Sequence, residues 1–540
     1  MLKRGNSYLL LINLIFILIL GLAPLLWFKD GYLIKSEDVG LPLNFTEWKA
    51  YAYSWFNQRA TGSYPIDNFS ALFFLFLPAL LQRLGFSLVS AQKFQFIFWF
   101  MLSGASIYYL LFSILNRRHP HPSIALCVVG FYMFNLYLEP IWLGFNIANI
   151  SAYVAMPILM GLFVNGLKTN QVLRYVCLAG IVAILLSGIG VNPPIAYVCI
   201  SIFILWFLYN FIILVLLRKE LSAKRFLKFL TLFILIILLV NAFWIYPQGM
   251  RLLKSTQIGP LVSYKESVQQ GIKERSKDTS LLNVLRLQGA WTWYAEYEEP
   301  YVLYSEFYQK NAFFLILGII PAICAFLSIF NLRSSIFAPF FIIIALLGII
   351  FSCGIHPPFS FIYKICLKVI PGFWIIRSPW YKWSLLTVLG FAVMIGIFID
   401  WLIQRIRRAP LGSIIIPILI FVAIMVYAYP IITGRMFATK EEREFLPPNY
   451  IKIPHYVYDA SRWLSEKRDF FRIMVLPSMG RRSTDWGYTG YEPVISYFTE
   501  KPLITPVVEG IFGSPYHIPN MDNLLYKWLY LNIDKTNTDE

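Results

Sequence analysis

The feature that most constrains this chain is a succession of uninterrupted apolar runs. The first extends from Ser7 to Phe28, and others lie near 91–115, 123–141, 148–167, 172–190, 194–217, 226–246, 311–331, 335–353, 383–404 and 412–433. A helix needs about 18 to 20 apolar residues to cross a bilayer, so the runs predict about eleven transmembrane helices and an all-α polytopic membrane protein. Composition agrees, with 58% hydrophobic and only 14% charged residues, far from a soluble average. Lys3 and Arg4 precede the first run, which is too long for a signal-peptide core and lacks a small-residue cleavage site. It is expected to stay as a signal anchor.

The formal net charge is +17. In a membrane protein that excess reads as cytoplasmic anchoring and contact with anionic headgroups, not as nucleic-acid binding. The six cysteines, at 127, 177, 199, 324, 353 and 366, lie in or beside apolar segments without CxxC spacing, so they read as small buried hydrophobes and not as a disulfide framework or a metal site. Walker-type, HExxH and Gly-x-Ser-x-Gly patterns are lacking, which leaves ATP hydrolysis, zinc proteolysis and serine-esterase chemistry unsupported.

Positive charges order the topology. The segment Phe69 to Leu84 is apolar but short and contains Pro78. If it does not span, Arg117-Arg118, Lys168 with Arg174, Arg218-Lys219 with Lys224-Arg225, Arg333, and Arg405 with Arg407-Arg408 all fall on the side of Lys3 and Arg4. If it spans, the loops at 117, 218 and 405 move outside together, against the rule. It is therefore predicted to be a helix on the outer membrane surface. The expected location is the cytoplasmic membrane, with the N-terminus inside. A transmembrane domain then covers 1–433, its outer loops at 29–90 and 249–310 and its re-entry at 354–382 sharing one extracytoplasmic face with a small α/β domain, 434–540. In that last domain "YVYDASRWL" has helical spacing, "FRIMVLP" reads as a buried strand and "GYTGYEP" as turns.

Polar residues that could carry chemistry gather at the predicted outer loops. "LIKSEDVGLP" sets Glu37 beside Asp38 where the chain first leaves the bilayer. A carboxylate at the mouth of a low-dielectric cavity can have its pKa raised, which suits it to accept a proton. A solvated charge pair, or a salt bridge to Lys35, fits the same residues. In "PGFWIIRSPWYKW", Arg377 and Lys382 put a guanidinium fork and an ammonium at the bilayer surface, a receptor for a lipid phosphate, although interfacial anchoring accounts for them equally. "SLLNVLRLQGAWTWY" offers Arg286 for phosphate and Trp291 and Trp293 for stacking on a sugar, with aromatic-belt residues as the plainer reading. Asn192 in "GIGVNPP", His356 in "GIHPPF" and Glu139 sit at predicted outer span ends, where turn formation competes with pocket lining.

The first loop, "SEDVGLPLNFTEWKAYAYSWFNQRATGSYP", keeps Asp38, Pro42, Trp55 and Gly62 in order ahead of a surface helix and a span. It resembles the first extracytoplasmic loop of GT-C membrane glycosyltransferases. Arg377, Pro379 and Lys382 reproduce an Arg-x-Pro-x-x-Lys pattern similar to the arabinofuranosyltransferase-like branch, whose best-known members are mycobacterial α-(1→3)-arabinofuranosyltransferases. Pro454, Trp463, Pro477, Trp486, Gly487 and Gly490 recur in series there too. The resemblance implies a polyprenyl-phosphate-linked sugar donor, a glycan or glycolipid acceptor, Asp38 as catalytic base with Glu37 as fallback, donor phosphate on Arg377, Lys382 and Arg286, and Trp55, Trp291, Trp293, His356 and Asn192 along the substrate path. No metal site or cofactor is required, although a divalent cation is compatible with the chemistry. Mycobacterial members carry long extensions with carbohydrate-binding modules, whereas this sequence ends at Glu540, so acceptor recognition is not carried over.

The mechanism so implied is inverting transfer, in which the acceptor oxygen attacks the anomeric carbon as Asp38 takes its proton. A lipid-linked-sugar transporter would also need a lipid-phosphate site and a polytopic body. It would be expected to carry ionisable groups near the bilayer midplane, whereas here the spans hold almost no charges. A non-enzymatic envelope assembly protein is the third alternative.

Overall fold

The computed structural model describes residues 2–35, 48, 69–115, 121–169, 171–185, 187–257, 262–370, 372–406, 410–476, 482–490, 493–499 and 501–504. Helices dominate it. In chain order they are α1 (Leu2–Gly21), α2 (Leu72–Arg83), α3 (Leu88–Ile114), α4 (Pro122–Met133), α5 (Leu138–Leu143), α6 (Ile147–Lys168), α7 (Val172–Leu185), α8 (Pro193–Phe211), α9 (Ala223–Gln257) and α10 (Val262–Arg275). There follow α11 (Leu281–Leu285), α12 (Ser305–Lys310), α13 (Ala312–Leu327), α14 (Ala338–Ser352), α15 (Ser360–Val369), α16 (Pro379–Arg405), α17 (Pro410–Tyr427), α18 (Tyr429–Thr433) and α19 (His455–Glu466).

Among the described residues, seven helical stretches, those built on α1, α3, α6, α8, α9, α13 and α16, are long and apolar enough to cross a membrane. The protein is thus a multi-pass, mostly helical membrane protein. Helix α2, over the segment predicted to lie on the surface, has 12 residues and falls short of a span. Four further runs form helices shorter than their apolar stretches. Helix α4 stops at Met133, where Asn135 turns its amide back onto the carbonyls of Phe131 and Tyr132. Helix α7 is described as far as Leu185, and a short 3-10 helix, Ser187–Val191, follows with Gly188 and Gly190, poor α-helix formers. Ahead of α14, Ser335 accepts from the Phe337 N–H and delays the first turn. The last run is divided between α17 and α18.

The chain forms two compact units. The first comprises 1–28, 95–241 and 262–437. Its centre is α16, buried from Pro379 to Asp400 apart from Tyr381. Glycines let α14 approach closely: a β-carbon on Gly348 would stand 2.5 Å from the Thr387 nitrogen, and one on Gly390 2.7 Å from the Phe341 carbonyl. With little apolar gain from helix association in lipid, such small-residue contacts and interhelical hydrogen bonds hold spans together. Ser352 and Ser384 supply one, 2.9 Å between hydroxyls. In α6, 94% of the apolar window is buried, against 22% for the stretches built on α1, α8 and α9, whose exposed leucines and isoleucines suit lipid.

The second unit comprises 29–94, 242–261 and 438–540. Strand β1 (Leu33–Ile34) pairs antiparallel with a strand at Tyr450–Ile451, and Gln92 clamps it by bonding both the N–H and the carbonyl of Ile34. Ile473–Met474 pairs parallel with Leu503–Ile504, and Arg482–Ser483 antiparallel with Thr489–Gly490. Helix α19 is amphipathic as its spacing predicts, with Val457 and Leu464 inward and Tyr456 and Trp463 exposed. The strand expected in "FRIMVLP" is two residues long and half-buried, and part of "GYTGYEP" pairs as a strand instead of turning. The cysteines are all unpaired; those at 127, 199, 324 and 353 are buried as expected, while Cys177 is exposed and Cys366 half-buried.

Candidate functional site

The start of α16 organises the site. Pro379 occupies the first helical position, where a missing N–H costs nothing and the fixed φ suits a helix. Ser378, the residue before it, does not cap the helix with its side chain; its hydroxyl accepts from Arg275 Nη1 at 3.1 Å. The first turn of a 27-residue helix therefore lacks a side-chain acceptor at its N-cap, and such an end attracts anions. Arg377 lies half-buried just outside it, and Lys382 lies within its first turns, 8% exposed.

Two other loops of the first unit meet this start. Thr279 donates to the Cys353 carbonyl at 2.7 Å, and the Ile355 N–H donates to the Ser276 hydroxyl at 3.3 Å. Gly354, at φ +57°, makes the approach possible, since a β-carbon there would stand 2.4 Å from Ser276 Oγ. The latch brings Arg275, Lys277, Asp278 and His356 into one polar cluster with Ser378. Burial raises the Asp278 carboxyl above its ordinary range, and Lys277 and His356 pull it partly back.

Behind the cluster, Trp380 is buried against the Tyr137 ring, 5.4 Å between centroids, and over Gly289. The Tyr381 carbonyl accepts from Tyr137 at 3.2 Å and from Asn149 at 2.9 Å. The motifs around 280–294 and 371–383, a hundred residues apart in sequence, are thus joined.

Arg286 lies deeper, 3% exposed. Its Nη2 donates to Gln288 Oε1 and, at 2.9 Å, to the Tyr308 carbonyl. Trp293 is buried among Tyr304 and Tyr308, whereas Trp291 is half-exposed against Tyr301. Tyr304 donates to Glu139 Oε1 at 3.3 Å. Glu139 is fully buried in α5, outside the candidate spans, and burial pushes its carboxyl up to about 8, with Tyr304 and Trp293 opposing. Asn192 precedes α8 with its backbone carbonyl accepting from Ile195 while its Oδ1 has no partner. Glu37, Asp38 and Trp55 lie outside the described residues.

The structure therefore gathers Arg377, Lys382 and His356 near one helix start, places Arg286 and Trp293 in a buried network, and leaves Asn192 at a separate helix end. Arg275, Asp278, Tyr137 and Asn149 were not singled out in the sequence. Only "KERSKDTS", a polar run ending at the Ser280 cap, hinted at the first two. The described residues contain no grouping of three or more His, Cys, Asp or Glu able to hold a metal ion.

Residues 141–505 match the family described as alpha-(1->3)-arabinofuranosyltransferase, N-terminal GT-C domain. No curated protein matches the sequence. Among solved structures, the cryo-EM structure of arabinofuranosyltransferase AftD from Mycobacteria aligns over 94% of this chain with a TM-score of 0.60 at 14% identity. A point mutant of that enzyme aligns over 94% as well, at TM-score 0.59 and 14% identity. The chain spans about a third of those proteins' length, 32% and 33%. At such identity the likeness establishes the shared fold.

Proposed function

Because the chain belongs to the α-(1→3)-arabinofuranosyltransferase N-terminal GT-C domain family, we propose that it is a membrane glycosyltransferase. In this reading it moves a sugar, arabinofuranose or another pentose or hexose, from a polyprenyl-phosphate donor to a glycan or lipid acceptor at the extracytoplasmic face of the cytoplasmic membrane. Residues 1–433 form the catalytic transmembrane domain and 434–540 the small outer domain. The supporting observation is that Arg275 donates to the Ser378 hydroxyl at the α16 start, with Arg377 just before that start and Lys382 in its first turn. Guanidinium, ammonium and a helix N-terminus together make a receptor for a phosphate monoanion or dianion.

The donor's phosphate sits on Arg377 and Lys382, and the acceptor hydroxyl approaches the opposite face of the anomeric carbon. Its oxygen forms the new bond as the bond to phosphate oxygen breaks, with inversion. The proton goes to Asp38 and the electron pair to the phosphate, whose growing charge the cations stabilise. Glu37 is the alternative base, and no nucleotide is needed. His356 and Trp291 line the sugar path, while Arg286 braces the loop behind it.

Asp38→Asn tests the reading directly. Transfer from a synthetic polyprenyl-phosphate sugar should fall by roughly 10²-fold or more in purified protein of normal thermal stability. Unchanged turnover removes Asp38 as base, and unchanged turnover in Glu37→Gln as well removes the mechanism.

A further inference from the structure

Helix α15 joins an exposed apolar stripe to two lysines at a fixed place in the fold. Ser352 at the end of α14 and Ser384 in the second turn of α16 bring their hydroxyls within 2.9 Å of each other. The 353–378 segment therefore leaves and re-enters the helix bundle at one level, and α16 is a candidate membrane span. Helix α15 lies within that excursion. Its Phe361, Ile365 and Val369 stand four residues apart, so they share one face. They are 60%, 54% and 71% exposed. Lys364 and Lys368 border the same face and are exposed too. Tyr363 points the other way: it is fully buried, its ring meets Phe373 at 5.0 Å between centroids, and its hydroxyl donates to the Ile376 carbonyl at 2.8 Å. The outward face is thus set from behind, and the same bond ties the helix to the residue before Arg377.

Large apolar side chains in line gain free energy by leaving water for acyl chains. Lysines beside them lay their stems along the apolar surface and return their ammonium groups to the headgroup layer. An aliphatic and aromatic stripe bordered by lysine is the pattern of a helix lying in a membrane interface, and its positive charge favours anionic over zwitterionic headgroups. Charge complementarity and continuity with a membrane-crossing helix select the bilayer as the occupant of this face.

We propose that α15 is an interfacial anchor that inserts Phe361, Ile365 and Val369 among acyl chains and binds anionic phospholipid headgroups through Lys364 and Lys368. It holds the stretch before Arg377 at the headgroup layer. The test places the full chain in nanodiscs of phosphatidylcholine with a minor share of phosphatidylglycerol. In paired preparations one lipid or the other carries a photoactivatable diazirine in its acyl chain, at equal amounts of probe. Irradiation and peptide mapping should place adducts on Phe361, Ile365 and Val369. Phosphatidylglycerol should label 360–370 roughly 10- to 30-fold more than phosphatidylcholine, since each lysine near the surface contributes about five-fold. In the variant carrying both Lys364→Gln and Lys368→Gln, the two lipids should label that segment equally, with the unfolding temperature unchanged. Absence of adducts from 360–370 means that protein or water covers the stripe, and it overturns the proposal. Equal labelling by both lipids in the wild type, or a preference that survives the double substitution, overturns it as well. Adducts report lipid contact and not turnover, so these outcomes are separate from those of the sugar-transfer assay.

Discussion

At the scale of single residues, the question is which charges face water and which are enclosed. Arg377 is half-buried, and a guanidinium bonded to phosphate is worth about 1.5–3 kcal/mol. Arg377→Ala should therefore weaken polyprenyl-phosphate binding by roughly 10- to 100-fold while leaving the unfolding temperature nearly unchanged. Equal affinity in a lipid-binding titration would reject the site. Glu139 gives a pH signature. Its folded-state value, about 8, lies above the ordinary 4.5, so the folded protein holds a proton that the unfolded chain releases. That contribution is fully present below about 4.5 and is lost as pH rises through about 8, a matter of a few kcal/mol. Glu139→Gln should flatten the fall in unfolding temperature across that window. A wild-type curve that rises there instead would contradict a neutral buried acid. The shared position of Arg377 and Lys382 at the α16 start was legible in the sequence because the two lie in one contiguous motif. The burial of Glu139 was not, since Tyr304, its partner, stands 165 residues away.

At the scale of elements, the site depends on how closely loops approach the start of α16. Gly289 is the tightest of these contacts: a β-carbon there would lie 2.4 Å from Trp380 Cδ1 and 2.7 Å from its Nε1. Trp380 is enclosed by Tyr137 and cannot swing aside without disturbing the Tyr137–Asn149–Tyr381 bonds. Gly289→Ala should cost about 1–3 kcal/mol, read as a lowered unfolding temperature and altered tryptophan emission. A neutral effect would mean that the 286–293 loop is not packed on Trp380. Helix existence and type were readable from apolar run length for most of the chain. Helix ends were not, because the stop at Met133 comes from side-chain bonds by Asn135 to the carbonyls of the last turn. That is a local polar choice inside a uniformly apolar background, where hydropathy carries no boundary signal.

At the scale of the whole molecule, hydropathy and positive charge carry different information. Run length yields a membrane protein, and among the described residues seven helices satisfy that criterion outright. Orientation rests on where lysine and arginine fall, and one 12-residue helix decides it. Pro78 lies within α2, and the helix presents buried Phe74, Leu75 and Ala79 on one side with Phe76 exposed, a one-sided pattern suited to lying in an interface. If α2 stays on the outer surface, residue 88 is outside and residue 118 inside, after the single crossing by α3. Reporter fusions truncated after those positions should then give an outside signal at 88 and a cytoplasmic one at 118. An outside signal at 118 would reverse every later loop, moving the 275–279, 353–356 and 377–382 cluster to the cytoplasmic face. A lipid-phosphate donor displayed outside could not reach it there, so that result would remove the donor assignment even with Arg377 and Lys382 correctly placed.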